Sequence, residues 1–513
     1  MTNKRNGKLA GEQSDLKQPP SLSEVNDNSE NQVEDIQTTP SVEKVTKEFL
    51  RALKNIGLTV DVVFPHLSHW FIQELTKTKT KLESFAESNF NSDGKLVASV
   101  REFAEFKLNL KYSEELRNSK AMTLLSNSLF VQLFSEFDAF IGAFLKVIYL
   151  KNDELLKSIS REIGFRDLLE HADVNSIKAV MLEKEIDSFR RESYVDQFSI
   201  LEKKFSIVLK KFNEWPDFVE LSQRRNIITH NGGMVSEQYL IVCEREGYTF
   251  EVKPKVGELI KIDLGYLFQA IVLLSKVGFM LSYTLWSKTS IKDRKEIQKS
   301  MNDVLYDCLH ERRWETAAQL GEFTLTENMR KDMSDIDLRI RVINVAIAHK
   351  FSGQEELCQK WLNSLDWSAT YRDFKLAISV LEDNFQDAIN IMESIGKAGE
   401  IIVQESYHSW PLFFKFRESS EFLNAYQKVY GESYFGQVSN EVSEIVEMGF
   451  DGITSNREDF LVLNTHASLT SKSKKDANKN KKLEDKSNKR VKVKVETPIV
   501  KKVKKIKRHE VKS

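Results

Sequence analysis

The chain has 513 residues, 41% hydrophobic and 10% aromatic, with 75 Lys and Arg against 76 Asp and Glu for a formal charge of −1. That length suits two to three domains, and the apolar content excludes a wholly disordered chain. The three cysteines, Cys243, Cys308 and Cys358, are too few and too scattered for a disulfide framework or a CxxC metal knuckle and suit a reducing compartment.

Eight prolines and twenty glycines, set among long 3.6-period patterns, point to an all-α chain. The opening stretch MTNKRNGKLAGEQSDL lacks the apolar core of a signal peptide, so a cytoplasmic protein is expected. Residues 1–42 are rich in Asn, Ser, Gln, Glu and Pro and read as a disordered tail. A helical N-terminal segment, 43–114, follows, with Phe49, Leu53 and Ile56 and then Val63, Leu67, Trp70, Phe71 and Leu75 at helical spacing. No function attaches to it. Phe130, Phe134, Phe137, Ile141, Phe144 and Ile148 then recur at intervals of four and three, the core face of a long helix. Glu136 and Asp138 are embedded in that helix, and 168–209 continues the amphipathic pattern through Ile186, Phe189 and Phe198.

The next helix carries the chemistry. Asn213 and Pro216 mark its start, Trp215, Phe218, Leu221 and Ile228 its buried face, and Gly232-Gly233 its end near His230. Asn226 and His230 are four apart on one face, where the amide can reach and orient the imidazole. Arg225 is five residues from His230, so in a regular helix the two are not side by side. The stretch LSQRRNIITHNGG, 221–233, resembles the Arg-x4-His motif of HEPN-domain proteins, many of which are metal-independent ribonucleases. The resemblance implies catalytic roles for Arg225, Asn226 and His230, no cofactor and no metal ligands. It implies a homodimer in which two motif helices meet in a shared cleft that binds RNA. It also implies an acidic residue on an early helix approaching the arginine, for which Asp138 and Glu136 are the candidates. The bland reading keeps Arg225 as a surface helix residue and His230 as a C-terminal cap.

Past Gly233 the alternation of Tyr239, Ile241 and Cys243, then 248–252 after Glu246-Gly247, predicts a small β-hairpin. Residues 264–286 are long and apolar enough to span a membrane, but Gln269, Ser275 and Lys276 interrupt them, and a buried bundle helix is the preferred reading. Residues 115–290 thus resemble a whole HEPN-like bundle.

From about 291 to 435 the chain repeats weakly: 311–320 aligns with 381–392, Trp314 over Phe385 and Ala317 over Ala388, and 345–361 aligns with 376–392 at an offset of 31. That spacing suits tetratricopeptide-like repeats, with an ordinary bundle as the other reading, and either would offer a surface to a protein partner. A linker, 436–471, leads to a basic tail. Residues 472–513 hold eighteen Lys or Arg against five acids, a charge of +13 that leaves −14 for the rest, and suit nonspecific nucleic-acid attraction. The expectation is an endoribonuclease, a toxin or antiviral defence effector. The alternative is a noncatalytic HEPN and helical-repeat scaffold.

Overall fold

The computed structural model describes residues 40–89, 95–160, 162–169, 171, 173–331 and 333–435. The expected N-terminal tail up to residue 39, the linker and the basic tail lie outside them. Every regular element among the described residues is a helix, and from Ser41 on they form one compact unit.

Helix α1, Val42–Ser88, starts where the Ser41 side chain accepts the Lys44 amide. Its 47 residues reach about 70 Å at 1.5 Å each. Val42, Val45, Phe49, Leu53, Ile56, Val60 and Phe64 are buried at helical spacing, and past Pro65 only Thr78 is. The helix therefore has a core half and a distal half. Helix α2, Val100–Arg117, opens on a Ser99/Glu102 capping box and packs on α1, with Phe106 stacked on Phe85 at 4.5 Å. Trp70, Ile72 and Leu108 stay exposed on this two-helix arm.

The core half of α1 packs against α3, Ala121–Leu150, whose phenylalanine stripe is fully buried. Two short helices, α4 (Asp153–Lys157) and α5 (Phe165–Leu169), lead to α6 (Val174–Arg190), α7 (Tyr194–Phe205), α8 (Trp215–Asn231), α9 (Glu237–Arg245) and α10 (Leu264–Thr289). Helix α10 is the one that passes the length and apolarity test for a membrane span among the described residues. Much of its apolar surface is already used: Leu267, Ala270, Leu274, Val277, Phe279, Leu281 and Leu285 are buried, and the helix packs against α1, α3 and α12. At its centre a Cβ on Gly278 would stand 2.3 Å from Phe49 Cε1, so only glycine admits that ring.

The structure corrects the expected β-hairpin. Residues 237–245 form α9, capped by the Ser236 hydroxyl. Tyr239, Leu240, Val242 and Cys243 are buried at i, i+1, i+3 and i+4, a helical face that the apparent alternation concealed. Beside it the chain pairs in extended form, where Met234 bridges Leu259 and the Val235 amide donates to the Glu258 carbonyl.

The remaining helices are α11 (Arg294–His310), α12 (Trp314–Thr324), α13 (Glu327–Arg330), α14 (Asp335–Phe351), α15 (Glu355–Leu362), α16 (Arg372–Leu381), α17 (Phe385–Ile395), α18 (Gln404–Ser409) and α19 (Ser420–Tyr430). One turn geometry recurs in the α11–α12, α14–α15 and α16–α17 pairs. Each has three linking residues, the middle one left-handed: Arg312 (φ 58°), Gly353 (φ 79°) and Asp383 (φ 57°). In each the next amide donates back to a carbonyl five residues earlier: Arg313 to Cys308, Gln354 to His349, Asn384 to Ser379. By this geometry Gly353 matches Asp383, 30 positions on, one fewer than the alignment offset. Arg341 of α14 is fully buried and ties back to α11, donating to Asn302 Oδ1 and to both oxygens of Gln298, while burial lowers its pKa to about 10. A single apolar cluster runs from Val42 to Tyr426.

Candidate functional site

Helix α8 is built to end where it does. Pro216 sits in its first turn, where its missing N–H costs nothing. Gly232 (φ 58°) and Gly233 (φ 81°) take the left-handed conformation, and the Gly233 amide returns to the Ile227 carbonyl at 2.9 Å. Gly233 also passes so close to the next segment that a Cβ would meet the Ile260 carbonyl oxygen at 3.2 Å. The end of α8 is thereby pinned to residues 257–260.

Near that end three of the candidate residues come together. Arg225 Nη2 donates to Asp138 Oδ2 of α3 at 3.4 Å, and its Nη1 to Asn226 Oδ1 at 3.3 Å. The guanidinium lies 5.9 Å from the Phe134 ring centre. Tyr194, first residue of α7, donates to the other Asp138 oxygen at 2.6 Å. Burial first, and then the Asp138 charge, push the Tyr194 hydroxyl well above the usual phenol range, so it remains a donor. Arg225 and Asp138 keep about a quarter of their side-chain surface exposed, 25% and 23%, so this ion pair is reachable from solvent. The Arg225 Nε is buried with no acceptor among the described residues.

The other two candidates stand apart. His230 is exposed on the last turn of α8, about 140° around a regular helix from Arg225 at 3.6 residues per turn, and the Asn226 amide oxygen faces Arg225. Glu136 accepts from Gln132, one turn away on α3. Among the described residues no group of three or more His, Cys, Asp or Glu side chains is placed to hold a metal ion.

Sequence reasoning missed what fixes α8. Glu220, only 2% exposed, accepts from Arg224 Nε at 2.7 Å, the Tyr239 hydroxyl at 2.5 Å and the Tyr266 hydroxyl at 2.6 Å. Arg224 also lies over the Tyr266 ring, 3.8 Å from its centre. Burial and the Glu220 charge hold both hydroxyls protonated. One carboxylate thus joins α8, α9 and α10. The adjacent Arg224-Arg225 pair was the only available signal: a doublet on a helix points two charges in different directions, here one inward to Glu220 and one to Asp138. A cleft of about 370 Å³ opens beside Arg224, lined by Glu214, Asp217, Tyr248, Lys276 and Gln319 among others. Lys276 bonds both Glu214 and Gln319 at 2.7 Å. Arg225, Asp138 and His230 do not line it. Comparison with protein-family models, with curated proteins and with solved structures gives no match to this chain.

Proposed function

We propose that this protein is a metal-independent endoribonuclease of HEPN type, working as a homodimer. The observation that carries the reading is the Arg225–Asp138 contact: a solvent-reachable guanidinium, oriented by a neighbouring carboxylate and amide, less than two turns before a helix end that presents an exposed histidine. Histidine titrates near neutrality, so His230 can take the proton of a ribose 2′-OH. The 2′-oxygen then attacks phosphorus, the bond from phosphorus to the 5′-oxygen breaks, and that oxygen takes the proton His230 removed, returned by the imidazolium or through water. Arg225 stabilises the charge that builds on the phosphate. In one chain Arg225 and His230 point apart, and a twofold partner brings the histidine of one motif helix toward the arginine of the other.

The recurrent left-handed turns at Arg312, Gly353 and Asp383 support reading the C-terminal helices as a tetratricopeptide-like array that takes a protein partner or trigger. The basic tail would add nonspecific affinity for nucleic acid. Three buried, unpaired cysteines suit the reducing cytoplasm. A toxin or antiviral defence role is the setting the resemblance implies. The competing reading, a noncatalytic scaffold, draws on the exposed Trp70, Ile72 and Leu108 of the α1–α2 arm, apolar side chains left open to a partner. Cleavage of a labelled single-stranded RNA separates the two: Arg225→Ala and His230→Ala should each abolish it with the helical circular dichroism spectrum unchanged. Full activity in either variant would remove the ribonuclease reading.

A further inference from the structure

Beside Arg225, two further cations lie along α3 at one-turn intervals, Arg190 reaching over from α6 and Lys146 on α3 itself. Asp138, Gly142 and Lys146 are four residues apart, so they share a face and follow one another about 6 Å apart along the axis. Arg225 lies against the first at 3.4 Å. Arg190, in the last turn of α6, lies across the second. A Cβ on Gly142 would stand 3.5 Å from Arg190 Cδ and 3.7 Å from its Nη1, so the Arg190 side chain lies in van der Waals reach of α3 at that position. The third is Lys146 itself, already paired with Glu183 of α6.

Arg190 is the least committed of the three. Among the described residues its closest carboxylate is Asp187 at 4.0 Å, with the two side chains 41% and 60% exposed, a contact that high-dielectric surroundings make weak. The exposed neighbours on α3, Ala139 and Ala143, carry only a methyl group each. Burial and Asp138 raise the Tyr194 hydroxyl, and the charges of Arg225 and Arg190 both oppose them, so the two guanidiniums act on one small region.

We infer that Arg190, with Lys146 beyond it, continues from Arg225 as a track for the sugar-phosphate backbone of single-stranded RNA, Arg190 holding the phosphate next to the one that reacts. The inference rests on the ribonuclease reading. A single file of cations follows one strand, and forked guanidiniums grip phosphate oxygens without reading bases, so the track sets the path of the strand rather than its sequence.

The test uses the full-length chain, a cleavable single-stranded RNA and a fully 2′-O-methylated copy that cannot react. Arg190→Gln should raise KM about tenfold, as loss of one charge-assisted contact does, and leave kcat within about twofold. Binding of the methylated strand should lose about 0.7 from its log–log salt slope. Arg190→Lys should restore that slope, since it restores the charge. If wild type cleaves and Arg190→Gln matches it in KM and slope, the track is wrong while the ribonuclease stands. A fall in kcat at unchanged KM would place Arg190 in the chemistry and overturn its role as a flanking contact. A wild-type protein that neither cleaves nor binds RNA overturns both.

Discussion

Replacing Glu220 by glutamine should destabilise the fold by about 3 kcal/mol, near the lower end of the cost of breaking a buried ion pair. The magnitude follows from what the carboxylate holds. Its two oxygens take three hydrogen bonds, from Arg224, Tyr239 and Tyr266, at 2.5 to 2.7 Å, with Glu220 itself 2% exposed. Glutamine keeps the shape but supplies one acceptor oxygen, so one hydroxyl loses its partner and the Arg224 charge is left uncompensated. The cost stays near the lower end because Arg224 keeps 15% of its side-chain surface in water and its contact with the Tyr266 ring. Urea unfolding followed by circular dichroism gives the change from the midpoint. Tyr266→Phe alone should cost about 1.5 kcal/mol, a hydrogen bond to a charged group, and the double variant less than the sum, because both changes strike one network. A loss under about 0.5 kcal/mol for Glu220→Gln, or strict additivity, would show that this network does not fix α8.

The same substitution at two helical glycines should have opposite signs in thermal unfolding. Gly278→Ala drives a methyl to 2.3 Å from Phe49 and should cost about 1–3 kcal/mol, whereas Gly142→Ala meets nothing nearer than 3.5 Å and should gain about 0.5–1 kcal/mol. Burial pushes the Cys243 thiol up to about 12 and those of Cys308 and Cys358 to about 11, so a thiol reagent at pH 8 should label none of them in the folded protein and all three in guanidinium. Burial alone would raise the Asp383 carboxyl, but hydrogen bonds from Lys350 and Lys415 hold it below its ordinary value. Its stabilising contribution is therefore present above about pH 4, the unfolded value, and is lost as pH falls through the lower folded one. Asp383→Asn, which still tolerates φ 57°, should weaken the fold at pH 7 and match wild type near pH 2 in urea midpoints.

Helix periodicity was legible wherever one face was long and continuous, as along Phe130 to Ile148, and the end of α8 was legible because a glycine pair leaves little other use. The stretch at 239–243 was misread since five consecutive apolar residues satisfy period 2 and period 3.6 equally. Its Ser236 cap and the buried i, i+3, i+4 set decide for helix. Asp138 could be named as a candidate from the resemblance. Tyr194 could not, since its hydroxyl joins a carboxylate 56 positions away. The Glu220 network was illegible for the same reason, its tyrosines lying 19 and 46 positions off. Asn226 was expected to orient His230, and it faces Arg225 because adjacent long side chains can meet when the outer one bends back toward α3.

The central claim is that Arg225 and His230 cleave RNA through the ribose 2′-OH without metal. The most direct measurement is the chemistry of the ends produced from a single-stranded RNA incubated with the full chain in excess EDTA. The account predicts 2′,3′-cyclic phosphate and 5′-hydroxyl ends, none with His230→Ala, and none where a 2′-deoxy residue replaces the ribose at the cleaved bond. Absence of cleavage, a requirement for added divalent metal, or cutting that survives the 2′-deoxy substitution would contradict it.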